Sequence, residues 1–421
     1  MYAIDDPGHV PGFTSAGLDV NDDGAVVGIL QPLTGSASKA FVWKSALTVL
    51  PGLGYAAEAR AINSNGEIIG AAETNPGRLT AVAWSAAGAL SRLPEPAGSA
   101  TSFTHGVDVT GHVAGGHIQL GREIPVFWNL RAPSAPPLIA AMPQDALWSE
   151  ALDVRNTIAC GTTFNGQRHQ AFVWNTGTGA VDMLPGESAV AFAGNDVVGT
   201  AQGMPALWTG GAGTPAILPG LVGLAQGTAN GGTGPDEVVG TVSAFDTPGT
   251  ERPFLRRRFR RDELDPASTV LAPRFLQLSA PETIDLNTLL PPGSRWSLLT
   301  ASAINSHGQI TGTGQIGGEV RAYRLSPPRF ESPMRLLTVA ELLIIIGGVA
   351  AGGGGFGITA SGHIIPIPPR EPGAATAERV REIVVTSLRD LAARAVTAGE
   401  QANFQEVLRA LVEEASAILN R

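Results

Sequence analysis

Cysteine is nearly absent. Cys160 stands alone in 421 residues, so no internal disulfide can form and nothing here requires an oxidising compartment. Charge is scarce too, at 15% of residues, and it sums to −9. That sign excludes a general nucleic-acid binder, which needs a basic surface to displace counterions. The opening, Met1-Tyr-Ala-Ile-Asp-Asp-Pro-Gly8, has neither a basic nor an apolar stretch and does not read as a secretory leader. No Asn-x-Ser/Thr acceptor occurs. Together these absences set an expectation of cytoplasmic residence. The Gly-x-Ser-x-Gly elbow, the P-loop and the His-Glu-x-x-His zinc pattern are also missing.

Glycine, by contrast, is abundant at 53 residues. It falls between short β-branched and aromatic runs, which marks turns rather than disorder. The segment Ala59-Arg-Ala-Ile-Asn-Ser-Asn-Gly-Glu-Ile-Ile-Gly70 recurs as Ala301-Ser-Ala-Ile-Asn-Ser-His-Gly-Gln-Ile-Thr-Gly312 and as Gly17-Leu-Asp-Val-Asn-Asp-Asp-Gly-Ala-Val-Val-Gly28. Looser copies end at Gly115, Gly161, Gly199 and Gly240. A second signature follows each: Ala40-Phe-Val-Trp43, Ala81-Val-Ala-Trp84, Pro125-Val-Phe-Trp128, Ala171-Phe-Val-Trp174 and Pro205-Ala-Leu-Trp208, with degenerate forms at Pro253–Arg256 and Ala322–Leu325. A third closes the repeat: Val49-Leu-Pro-Gly52, Arg92-Leu-Pro94, Met183-Leu-Pro-Gly186, Ile217-Leu-Pro-Gly220 and Leu289-Leu-Pro-Pro292.

Each repeat reads as four short strands. The Ala-Ile-Asn segment is the first, and its Asn-x-x-Gly turn tolerates positive φ and reverses the chain. The β-branched run before the repeated glycine is the second, the aromatic pair marks the third, and Leu-Pro ends the fourth. Four such strands repeated seven times predict an all-β, seven-bladed β-propeller of four-stranded antiparallel blades. A single blade buries neither face alone, so neighbours must stack around an axis. The seventh copy lacks a fourth strand, and Tyr2-Ala-Ile-Asp-Asp-Pro-Gly8 offers one, which would close the ring without a free edge. A β-helix or a linear array is the competing architecture.

This succession resembles the HAF repeat family, often labelled probable extracellular repeats, over about residues 1–327. The resemblance implies a propeller-like β array. It brings no catalytic residues and no defined ligand, and its extracellular label stands against the cytoplasmic expectation.

Few residues point to chemistry. The repeated tryptophans invite a carbohydrate-stacking role, but recurrence in every repeat favours packing between blades. Asp19, Asn21 and Asp23 match the front of a calcium loop, whose alternating oxygens line one side of a tight turn. Leu30 stands where the bidentate glutamate of an EF-hand belongs. A plain β-turn is therefore favoured and no cofactor is expected, with calcium as the alternative. His112 and His117, five apart on a strand, fall on opposite faces unless Gly115-Gly116 makes a bulge. Cys160 reads as a small buried hydrophobe. Arg256, Arg257, Arg258, Arg260 and Arg261 open an insertion over about 256–282. They read as a solvated loop or as a docking patch for an acidic partner.

The repeats stop near residue 330, which sets the expected boundary between a 1–330 propeller and a 331–421 module. The module begins with a Gly-rich apolar segment, 336–369. Its length would allow a membrane span, but its glycines weaken a helix, and the favoured reading is a buried or partner-covered segment containing a hairpin from Phe356 to Ile367. Residues 374–420 show two helical periodicities, Val380-Val384-Leu388-Leu391 and Phe404-Leu408-Leu411-Ala415, which predict a helical hairpin. The leading functional expectation is a non-catalytic binding or scaffold protein. It would present one propeller face to a protein or other ligand and use 331–421 for attachment or self-association. A channel enzyme, hydrolase or lyase, and a membrane-associated effector are the alternatives. Titratable groups converging on the channel would favour the enzyme.

Overall fold

The computed structural model describes residues 1–327 except 36, 246, 248 and 258–280, together with the backbone of two short strands, Gly355–Ile358 and Ile364–Ile367. The chain divides into two compact parts, Met1–Pro328 and Arg329–Arg421.

In the first part, the strands Phe13–Val20, Val26–Pro32, Lys39–Trp43 and Leu47–Val49 pair antiparallel in chain order. The same order recurs over 57–92, 101–139, 148–184, 188–217 and 226–285. A single parallel bridge, Glu123 to Trp148, joins the third module to the fourth, and another, Ala193 to Gly232, joins the fifth to the sixth. The seventh module, 296–326, splits its first strand into Trp296–Leu298 and Ala303–Ile304, both paired with Ile310–Ile316. Its outermost strand comes from the start of the chain: Ala3, Ile4 and Asp5 lie opposite Ser326, Leu325 and Arg324. This is the closure that the missing fourth strand demanded.

What holds the modules together lies between them. One hydrophobic cluster unites Val27, Ala40 and Leu50 of the first module with Ala59, Ile68 and Trp84 of the second. Corresponding clusters join each later pair, and the last joins Ala322 of the seventh to Val20, Leu30, Phe41 and Trp43 of the first. Each fully buried large side chain contributes roughly 1.5–3 kcal/mol, and none finds that burial inside a lone module. Sheets that face a neighbour on both sides, and return to the first, define a β-propeller and exclude a linear array.

The repeated tryptophans serve this packing. Nε1 of Trp84 donates to the Pro51 carbonyl at 2.8 Å, Trp128 to Pro94 at 2.8 Å and Trp208 to Pro185 at 3.0 Å. In each case the acceptor is the Leu-Pro proline of the preceding module, so the second and third signatures are two halves of one contact. Trp174 follows a module with no Leu-Pro, and its buried Nε1 finds no hydrogen-bond partner among the described residues. Sugar stacking by these rings is excluded by their burial.

The repeated glycine has an equally specific cause. The first strand of each of the first six modules carries a bulge, as between Gly17 and Asp19 or between Ala151 and Asp153. It thrusts a carbonyl into the place of the facing Cβ. A methyl group on Gly28, Gly70, Gly115, Gly161, Gly199, Gly240 or Gly312 would overlap the carbonyl oxygen of Ala16, Glu58, Phe103, Glu150, Ser188, Thr228 or Thr300.

One sequence expectation needs correction. Leu289-Leu-Pro-Pro292 is not the fourth strand of the sixth module; that strand is Glu282–Asp285, and Leu286–Leu289 forms a 3-10 turn capped by the Asp285 side chain. Gly115-Gly116 makes no bulge, so the alternation that sets His112 and His117 on opposite faces is unbroken; the bulge of this pair sits on the partner strand, at His105, between Thr104 and Gly106. The hairpin expected in the second part is present, with Gly355 opposite Ile367 and Ile358 opposite Ile364. The helical hairpin of 374–420 lies outside the described residues. Among the described residues no helix is long and apolar enough to cross a membrane.

Candidate functional site

Because strands alternate in direction, the turns joining first to second strands and third to fourth strands emerge at one end of every module. The first strands converge there on a cavity of about 370 Å³. All seven modules line it: Asp19 to Asp22 from the first, Ile62 to Ser64 from the second, Val107 and Val109 from the third, and Asp153 to Arg155 from the fourth. Phe192 with Gly194, Gly232 with Thr233, and Ile304 to Ser306 complete the wall.

The asparagine of the Ala-Ile-Asn motif builds this end. Its side-chain oxygen accepts from its own turn: Asn21 from the Ala25 amide, Asn63 from Asn65 and Glu67, Asn305 from His307 and Gln309. Its Nδ2 reaches the next module. Asn305 donates to the Asn21 carbonyl at 2.7 Å, Asn21 to the Asn63 carbonyl at 3.0 Å and Asn63 to the Asp108 carbonyl at 2.9 Å. Asp108 stands at the equivalent position in the third module and has no side-chain amide with which to donate. Its Oδ2 instead accepts from the Asn156 amide of the fourth at 2.7 Å.

Two carboxylates sit deep in the wall. Asp19 accepts from the amides of Val20 and, in the next module, Ile62, both at 2.8 Å. Asp153 does the same with Val154 at 2.8 Å and Phe192 at 2.9 Å. Burial pushes Asp19 up to about 6 and Asp153 up to about 7, while those N–H bonds pull the other way. Both values lie above the unfolded 3.8, so the folded chain holds these protons more tightly. Their contribution to stability is complete below pH 3.8 and drains away as pH rises through 6 and 7. Asp153→Asn removes the proton and leaves an amide that accepts only one N–H. The variant is expected to melt below the wild type, with the gap narrowing from about pH 5 to about pH 8. A gap that widens over that range would show that the ionised carboxylate is the form the fold prefers.

Nearer the rim, Asp22 accepts from the hydroxyl and amide of Ser306 and from the Ser64 hydroxyl. These bonds outweigh its partial burial and hold the carboxyl below the usual range. An acid so stabilised is a weak base, and Ser306 is not activated by it. Arg155 lines the same cavity and is exposed.

The calcium reading fares differently at each of its residues. Asp19 turns to Ile62, Asn21 to its own turn and Asn63, and Asp23 outward to Lys44 at 3.2 Å. The three side chains do not converge. Among the described residues no group of three or more His, Cys, Asp or Glu side chains is placed to hold a metal. His112 pairs with Asp108 at 3.2 Å, while His117 is fully buried and kept neutral by desolvation. Cys160 is buried, and burial pushes its thiol up. Arg256 donates to the Pro281 carbonyl at 3.0 Å, and the Arg257 guanidinium lies 5.6 Å from the Tyr2 ring centre. Arg258, Arg260 and Arg261 lie outside the described residues.

A second cluster lies toward the opposite end, between the third and fourth modules. Nε2 of His105 stands 3.1 Å from Oε2 of Glu150. Glu123 lies close enough to Glu150 for each carboxyl to bias the other's protonation. Burial and the neighbouring Glu150 charge hold the Glu123 carboxyl well above the carboxylate range. Glu150, despite its own burial, is held low by His105.

The fold and this ringed cavity place the first part of the chain among β-propellers. No family model and no curated protein matches the chain. Solved structures with a similar course include the β-propeller domain of the Trilobed protease from Pyrococcus furiosus, 8% identical, covering 78% of this chain and 99% of that one at a TM-score of 0.48. Streptogramin B lyase is 12% identical, covering 77% and 98% at 0.45. An acylaminoacyl peptidase is 8% identical, covering 75% of this chain and 51% of its own at 0.44. Likeness at this level assigns no activity.

Proposed function

We propose that the chain is a non-catalytic binding protein of the HAF-repeat kind, a seven-bladed propeller whose turn-lined cavity receives a basic segment of a protein partner. Residues 331–421 would serve attachment or self-association. Titratable groups do converge on this cavity, the feature expected of a channel enzyme; what supports binding is that each acid is already held by hydrogen bonds within the wall. Asp19 and Asp153 are each tied by two backbone amides that bridge modules, and Asp22 is tied by two serines. Hydrogen bonds favour the charged form of Asp22, and Asp19 and Asp153 add negative charge as pH rises past about 6 and about 7. Above pH 7, three acids against the single guanidinium of Arg155 favour a cationic guest.

Fluorescence anisotropy of a labelled octalysine peptide tests this reading on the full chain. Binding is expected at low salt, weakening about tenfold or more by about 300 mM NaCl, where exposed charges are screened within several ångströms. Asp22→Asn is expected to weaken it about fivefold. No rise in anisotropy, or equal affinity in the variant, would overturn the proposal.

A further inference from the structure

Most aromatic side chains in the described residues fill the clusters between modules, but three at the other end of the fourth module do not. Trp148 opens its first strand, Phe164 ends the second and His169 opens the third, and the three lie opposite one another across the sheet. Opposed residues of an antiparallel sheet share a face. The Trp148 and Phe164 ring centres are 6.0 Å apart with planes tilted by 34°, Phe164 and His169 are 4.7 Å apart at 33°, and Trp148 and His169 are 5.4 Å apart, edge to face at 67°, so the three rings form a compact cluster. Neither Trp148 nor Phe164 belongs to any of the seven hydrophobic clusters. Both are partly open to solvent and His169 is exposed.

Glu150 stands two residues along the strand from Trp148, and Glu123 of the third module lies opposite Trp148 across the parallel bridge. Glu150 brings with it His105, also of the third module. Nearby, Leu147 and Leu120 project from the adjoining loops, and Leu120 is 96% exposed at a φ of 51°. A leucine held in the left-handed region with its side chain in water is a local cost without a packing return.

We propose that Trp148, Phe164 and His169, with the Glu123–Glu150 pair beside them, form a binding site for a neutral pyranose oligosaccharide. The apolar C–H face of a pyranose suits an open ring face of this three-ring cluster. Its hydroxyls both donate and accept, and the pair beside the rings offers both functions: the protonated Glu123 donates and the ionised Glu150 accepts. A basic peptide would find the rings and one acid there, but no use for a carboxyl that keeps its proton. The site lies away from the turn-lined cavity and does not depend on what that cavity binds.

Saturation-transfer NMR on the full chain with cellopentaose, xylopentaose, mannopentaose and chitopentaose separates the sugar classes and tests the site. At least one is expected to receive transfer concentrated on its ring C–H protons, with an affinity measurable by calorimetry. Trp148→Ala is expected to weaken that affinity about tenfold or more. His169→Ala, at an exposed position that cannot unfold the module, should weaken it about threefold, while Val222→Ser on a distant loop leaves it unchanged. Absence of transfer to all four sugars overturns the proposal, as does equal affinity in His169→Ala and wild type.

Discussion

Gly161→Ala is expected to cost more than about 4 kcal/mol, beyond the range of ordinary point substitutions, and to leave little soluble protein. The cause is geometric. The bulge between Ala151 and Asp153 points the Glu150 carbonyl at Gly161, and the Phe172 ring closes over the same atom from the third strand. An alanine methyl would overlap both, and the carbonyl cannot retreat without undoing the bulge. Undoing it shifts the register by one, which would turn Asp153 away from the Phe192 amide. A single methyl therefore removes a ladder and a bond between modules at once. Gly234→Ala is the control, because nothing lies within 4 Å of the added carbon and its φ is ordinary. That variant should change stability by less than about 1 kcal/mol. Urea midpoints of the two proteins check the contrast, and similar midpoints would mean the bulge is soft.

Much of the propeller could be read from residue order because its energetic necessities recur. The glycine recurs since a carbonyl occupies its Cβ position, and the tryptophan recurs with Leu-Pro since the indole needs that proline's carbonyl. A repeated constraint writes itself seven times. The error fell where the constraint was local. Leu289-Leu-Pro-Pro292 carries the right letters, but Asp285 caps a 3-10 turn there and the strand has already ended. The bulge at His105 could not be read at all, because a lone strand's sequence does not record its partner's register.

The candidate sites were less legible. The Asn-x-x-Gly motif was readable as a turn, but the donation of Asn305 to Asn21 spans 284 residues. Only closure of the ring makes those two neighbours. The Glu123–Glu150–His105 group comes from three strands of two modules and obeys no repeat. Trp148 had only a partial signal. It lies outside the aromatic-pair signature, as does Trp296, but only Trp296 packs against a hydrophobic cluster, a difference the structure alone makes.

Tyr2→Ala tests the closure itself, and a loss of about 3–5 kcal/mol is expected, the usual range for truncating a buried aromatic. Tyr2 is 2% exposed among Val239, Leu255, Leu298, Ile310, Tyr323 and Leu325, so one ring is packed by both the sixth and the seventh modules. Its amide donates to the Leu289 carbonyl at 2.9 Å, and the three residues after it supply the outermost strand of the seventh sheet. Removing the ring loosens that strand and bares the edge Arg324–Ser326, an opening for intermolecular pairing. The ion pair on the same strand, Arg324 to Asp5 at 3.0 Å, is half exposed on the Asp5 side, and Asp5→Ala should cost less than about 1 kcal/mol. Amide exchange over residues 319–326 separates the two mechanisms. If the strand acts as a closure, exchange there rises in Tyr2→Ala and stays near wild type in Asp5→Ala. Unchanged exchange in Tyr2→Ala would leave the ring held by the Ala322 seam alone, since that seam packs the first module directly against the seventh without help from the start of the chain.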